Sequence, residues 1–243
     1  MIKGMYTSAS GMIPRVQQQE AIANNIANAS TSGFKKDDIF VRELSKAERK
    51  TTKATADWLQ PMVTKAFTEH THGSLERTDN PLDIAIDGDG FFRLQAPDGS
   101  VALTRSGTFQ VANNGFLTYP GGYQLMGESG PIQVGDGSVT ITQSGEVEVD
   151  GSVVGRVVPF TVPDLNKLEK VGETLFVAPE GVELTAVPTP SVQQGYLESS
   201  NVDVINEMVD MIVSYRIYEA NAKSLQTQDA SLDNLFNRVA GSR

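Results

Sequence analysis

Cysteine is absent from the 243 residues, which removes disulfides, zinc–thiolate sites and thiol nucleophiles together. Histidine is almost as scarce, with His70 and His72 the only two. A serine triad needs a histidine set between a nucleophile and an acid, and nothing in this spacing offers one. In a strand both rings would share a face, which leaves a metal geometrically open, but Glu69 would point the other way and no third ligand follows. Positive charge is the scarcer sign, 20 Lys and Arg against 30 Asp and Glu, for a net charge of −10. That balance excludes sequence-independent nucleic-acid binding and docking on an anionic membrane. No stretch approaches the roughly 20 apolar residues that span a bilayer. The start, Met1 to Tyr6, has no apolar run of the kind that drives signal-peptide export. The expectation is a protein that stays in the cytoplasm or is exported without a cleaved signal.

Acidic motifs are equally unproductive. Asp87-Gly88-Asp89-Gly90 lacks the later ligands of a calcium loop and reads as a tight turn. Asp79 and Asp83 could pair as glycosidase carboxylates, but a turn-rich β segment offers no sugar cleft. The sequence therefore predicts no catalytic residue, no cofactor and no metal.

What is present divides the chain into three kinds of text. Near the N-terminus, Ile2, Met5, Ala9, Met12, Val16, Gln19, Ala23 and Ile26 alternate at spacings of three and four, a heptad seam. It is a weak one. Gly11 costs about 1 kcal/mol and Pro14 about 3 kcal/mol inside a helix, so Pro14 should kink the helix or start it. Thr31-Ser32-Gly33 reads as the stop. At the other end, Met208, Met211, Tyr215, Tyr218, Ala222, Leu225, Asp229, Leu232, Phe236 and Val239 repeat the same spacing without Gly or Pro. Ser200 with Asp203 suggests a capping box before it. A helix of about 39 residues there would be about 58 Å long, too long to fold back into a small domain.

Between the ends, from about residue 80 to 195, the grammar is β. Leu82, Ile84 and Ile86 alternate with Asp83, Ala85 and Asp87, and Asp98-Gly99, Asn114-Gly115, Gly121-Gly122, Asp136-Gly137, Ser144-Gly145 and Asp150-Gly151 punctuate short strand-like runs. The spacing predicts a mostly antiparallel β domain rather than a parallel α/β sheet. Residues 35–75 are basic and Thr-rich, and read as an extended, irregular connector. The single Trp58 inside it is expected to dock on a neighbouring surface. The fold class expected is α+β, with terminal helices as a coiled-coil domain (1–34 plus 200–243) bracketing the β domain (76–199). Isolated, the weak N-terminal seam would not hold a helix in water, so these ends are expected to order by assembly.

Several motifs carry a resemblance. Met5 to Met12 resembles the opening of flagellar rod and hook proteins. Ala23-Asn24-Asn25-Ile26-Ala27-Asn28-Ala29-Ser30-Thr31-Ser32-Gly33-Phe34-Lys35 is similar to that family's hallmark. Asn80-Pro81-Leu82-Asp83-Ile84-Ala85-Ile86, followed by Gly88-Asp89-Gly90-Phe91-Phe92, resembles its central motif. Leu103-Thr104-Arg105-Ser106-Gly107-Thr108-Phe109, Gln194 to Val202 and Tyr215 to Asn221 continue it in family order. The motif residues singled out are Asn24, Asn25, Asn28, Gly33, Phe34, Asp83, Gly88, Gly90, Phe91, Gly195, Tyr196 and Asn201.

The resemblance implies an axial structural protein of the flagellar basal-body rod. Terminal helices would pair as an inner coiled-coil layer, with the β domain outside. The expected assembly interface is Ile2, Met5, Met12, Val16, Ile26, Met208, Met211, Tyr215, Tyr218, Leu225, Leu232 and Phe236. Partners would be further copies, other rod proteins and, in transit, the flagellar type III export apparatus, with no nucleic acid or small-molecule substrate. The place implied is the rod where it crosses the periplasm, reached without a cleaved signal. The short centre resembles the proximal-rod subunit most and the distal-rod subunit next. A different class, a secreted β-domain adhesin on a helical stalk, would leave the terminal assembly motifs without a purpose.

Overall fold

A computed structural model describes residues 2–43 and 61–240. Side chains are described for all of these except 2–3, 40–43, 61–65 and 238–240, so Ile2 enters as backbone alone, and Trp58 lies outside the described residues. The chain forms two compact units, one of residues 1–27, 37–67 and 203–243, the other of 28–36 and 68–202.

The first unit is built on two helices, α1 (Ile2–Ala27) and α2 (Val204–Ala240). α1 continues through Pro14 rather than starting or ending there. α2 begins later than the expected Ser200 box. Asp203 caps it, its Oδ1 accepting from the N–H groups of Ile205 at 3.0 Å and Asn206 at 3.2 Å. Ser200 instead accepts from Val202 N–H within the preceding turn. The segment 35–75, read as an irregular connector, contains two paired strands, β1 (Asp37–Glu43) and β2 (Pro61–Thr68). The run Ile39-Phe40-Val41 carries strand propensity that the surrounding lysines and threonines obscured.

α1 and α2 lie antiparallel, and their contacts trace one line along each helix. Ser8 and Ser224 hydroxyls meet at 3.4 Å, Ser214 Oγ donates to the Arg15 carbonyl at 3.3 Å, and Asn25 Nδ2 donates to Glu207 Oε2 at 3.2 Å. Gly4 faces Gln228 and Gly11 faces Asn221, and a Cβ at Gly4 would displace the end of the Gln228 side chain. These positions repeat at three and four residues, and they are small or polar. Glycine and serine let two backbones approach closely. Ile22 and Ser214 are buried, and so are Asn25 and Glu207.

The second unit is antiparallel throughout its named pairings. Its main sheet has seven strands in the order Glu169–Val171, Leu175–Val177, Val101–Thr104, Phe92–Gln95, Tyr123–Leu125, Leu117–Tyr119 and Gln110–Val111. A three-stranded meander, Val139–Ile141, Glu146–Val149 and Ser152–Arg156, packs its buried face into the same core as Ile84, Phe92, Leu94, Leu117 and Leu125. The turn motifs sit where the sequence put them. Asp150 and Gly151 both have positive φ, 50° and 80°, between two paired strands, as a type I′ turn requires. Two short pairings bring distant chain together: Ile84–Ile86 with Val192–Gln194, and Leu75–Arg77 with Tyr196–Glu198.

Candidate functional site

Two features stand out. The first is the surface left over when α1 and α2 pair. The expected seam residues sit one position after the contact line, about 100° further round each helix. Val16, Met208, Tyr215 and Phe236 are exposed, while Met5, Met12, Ile26, Met211, Tyr218, Leu225 and Leu232 are half-buried. Ile13, Ile205, Val209, Ile212 and Val213 are exposed as well. Large apolar side chains left open to water in such number on one helix pair mark a surface with a use. Pattern reasoning located the apolar stripe but not the pairing line, because Gly4, Ser8, Gly11 and Ser214 carry almost no hydrophobic signal.

The second feature lies in the β unit, where the family-like motifs converge. Gly33 has φ 71°, and a Cβ there would strike the backbone of Arg105 and Ser106. Its N–H donates to the Glu198 carbonyl at 2.7 Å. Phe34 is fully buried, with the Lys170 ammonium 3.9 Å from its ring centroid. Lys35 is buried too, and its Nζ donates to Glu198 Oε1 at 2.5 Å and to the Thr71 carbonyl at 2.6 Å. Arg105 Nη1 reaches Glu198 Oε2 at 3.2 Å, and Nη2 donates to the Gly88 carbonyl at 2.7 Å. Burial pushes both Lys35 and Arg105 below their ordinary values, while Glu198 pulls the other way.

The remaining motif residues support this junction or its surroundings. Asn201 accepts from Lys36 N–H at 2.8 Å and donates to the Glu69 carbonyl at 2.8 Å. Buried Asp83 accepts from Thr78 and Asn80 side chains, and its carbonyl accepts from Gly195 N–H. Gly195 has φ 76° and leads into the strand that holds Tyr196 and Glu198. Gly88 and Gly90 form the turn expected of them, both with positive φ. Asn28 closes the turn after α1 by accepting from Thr31. Asn25 serves the other unit: its side chain brackets the Asp37 backbone, accepting from N–H at 3.0 Å and donating to the carbonyl at 2.9 Å. Asn24 is exposed on α1. Lys35, Arg105 and Glu198 stood within the quoted motifs but were not singled out. Charged residues inside otherwise apolar or small motifs were the available signal.

The two histidines part company. His72 Nε2 lies 3.3 Å from Asp89 at the surface. His70 packs against Phe91 and Phe176, ring centroids 5.7 and 5.2 Å away. Burial, reinforced by the positive charge of Lys35, lowers its pKa from 6.5 to about 4. The unfolded chain thus takes up a proton below about pH 6.5 that the folded unit refuses until about pH 4. Stability is full above that window and falls as pH drops through it, by up to about 1.4 kcal/mol per pH unit. His70→Phe should flatten this slope relative to the parent in urea unfolding between pH 6.5 and 4.5. An unchanged slope would assign the effect elsewhere.

Nothing in this arrangement gathers a nucleophile, a base and a cleft. Among the described residues no three His, Asp or Glu side chains group as a metal site, and no helix is long and apolar enough to cross a membrane. What the geometry defines is a β unit closed by both of its chain ends, together with a helix pair that displays an apolar stripe: a structural, assembly-type protein.

Comparison with known proteins agrees. Three family descriptions match, "Flagella basal body rod protein" over residues 5–35, "Flagellar hook protein FlgE/F/G D1 domain" over 85–149 and "Flagellar basal body rod FlgEFG protein C-terminal" over 193–238. The chain is 34% identical to the flagellar basal-body rod protein FlgG of Buchnera aphidicola subsp. Acyrthosiphon pisum, across 97% of this chain and 99% of that one. It is 30% identical to FlgG of Bacillus subtilis, and 31% to the flagellar hook-basal body complex protein FlhO of the same organism, each across 98% of this chain and 99% of the relative. The chain belongs to the flagellar basal-body rod protein family, and it is a structural subunit of that kind.

Proposed function

We propose that this chain builds the flagellar rod by polymerising through its helix pair, without catalysis, cofactor or metal. The observation that carries this reading is the apolar stripe left exposed beside the α1–α2 contact line. Fully burying one large apolar side chain contributes about 1.5–3 kcal/mol, and in a polymer the stripe repeats with every subunit. The helices of successive subunits would wind as coiled coils through Met5, Met12, Val16, Ile26, Met208, Met211, Tyr215, Tyr218, Leu225, Leu232 and Phe236. Ile2 belongs to the same proposed seam by its position. The partners are further copies and other rod proteins. The route is the flagellar type III export apparatus without a cleaved signal, and the destination is the basal body. The names of the FlgG relatives say rod without naming a segment. The proximal segment is the assignment favoured from the short centre of the sequence, with the distal segment as its alternative.

The test is to localise a tagged copy in basal bodies purified from the source cell. Label confined to the rod is expected, and its distance from the hook assigns the segment. Label on rod and hook alike would contradict the reading.

A further inference from the structure

Glu198 is shared by two buried cations that come from different parts of the chain. Lys35 follows α1 by eight positions, and Arg105 stands at the end of a central strand, immediately after Thr104. Glu198 is in the last strand before α2. All three are at most 3% exposed. Glu198 is the acidic partner of both Lys35 and Arg105 in the described ion pairs. Its Oε1 also accepts from Gly73 N–H at 3.0 Å, and its backbone carbonyl accepts from Gly33 N–H at 2.7 Å. His72 Nδ1 approaches the same Oε1 at 4.0 Å.

We infer that Lys35, Arg105 and Glu198 form a clasp that makes docking of the stretch 28–36 conditional on docking of the stretch 196–201. The roles are unequal. Without Lys35, Glu198 still has Arg105 and Gly73. Without Glu198, docking the N-terminal stretch would bury a second cation beside Arg105 with no anion between them, and buried charge without a partner is strongly disfavoured. Asn201 repeats the dependence in neutral form, since it receives Lys36 N–H and holds the Glu69 carbonyl. The β unit can assemble its seven-stranded sheet from residues 92–177, but it cannot close over residues 28–36 until the chain has continued past Glu198. The two clasped stretches are those that directly follow α1 and directly precede α2, so a chain lacking its C-terminal part leaves its N-terminal motif undocked.

The experiment is hydrogen exchange on the full chain. Glu198→Gln removes the charge and keeps the shape. At least a tenfold faster exchange is expected at the N–H groups of Gly33 and Lys36, with the strands Phe92–Gln95 and Val101–Thr104 still protected. Adding Lys35→Met to Glu198→Gln removes the orphaned cation and should restore most of the protection at Gly33 and Lys36. Unchanged protection in Glu198→Gln, or a further loss on adding Lys35→Met, would overturn the inference. Loss of protection through the whole sheet in both variants would overturn it as well, because the triad would then hold the entire unit rather than its ends.

Discussion

Gly33→Val is expected to cost the β unit about 3 kcal/mol or more, measured as the loss in urea unfolding free energy. Two effects add. Valine must adopt φ 71°, where an L side chain costs about 1–2 kcal/mol and a β-branched one has no easy rotamer. Its Cβ would also meet the backbone of Arg105 and Ser106, which cannot rotate away as a side-chain tip can. Moving the loop to relieve the collision lengthens the Gly33 N–H to Glu198 carbonyl bond and disturbs Lys35 beside it. Against a total stability of about 5–15 kcal/mol, that loss is large. A Gly33→Val chain within about 0.5 kcal/mol of the parent would show that the loop is not held as described.

Tyr215→Asp combined with Phe236→Asp is expected to abolish incorporation into rods while leaving the monomer as stable as the parent. The two side chains are 59% and 72% exposed, so in the free chain aspartate faces water and changes stability by no more than about 0.5 kcal/mol. If neighbouring subunits cover the stripe, each copy would bury two carboxylates against apolar surface without a partner, at several kcal/mol per subunit. Motility and basal-body composition read out the first expectation, and thermal unfolding of the monomer the second. Normal rods built from the double variant would mean that this stripe faces solvent in the assembly.

The parts of the fold legible in the sequence were those written in periodicity and turn chemistry. The long C-terminal helix, the antiparallel character of the centre and the positions of turns such as Asn114-Gly115 all follow from local rules, and α1 emerged from its spacing despite Pro14. Two things were hidden. One was the α1–α2 contact line, since close approach relies on Gly4, Gly11, Ser8 and Ser214, whose small size is the signal and whose hydrophobicity is negligible. Apolar periodicity instead marks the stripe that lies beside that line, exposed at Val16, Met208, Tyr215 and Phe236. The other was the charged junction. Lys35, Arg105 and Glu198 look like surface residues in sequence, and the ion pairs that accompany their burial join positions 163 and 93 residues apart. The ribbon of β1 and β2 was missed for a simpler reason: lysines and threonines blurred its alternation.

The central claim is that the exposed stripe of the helix pair becomes an interface in the rod. The background without cysteine allows a direct measurement. Single cysteines at Ile13, Ile212 and Phe236, with a control at exposed Glu183, would be reacted with a maleimide in the free monomer and in isolated rods. All four should react in the monomer. In rods the three stripe positions should be protected at least tenfold while Glu183 remains reactive. Equal reactivity of the stripe cysteines in monomer and rod would contradict the account.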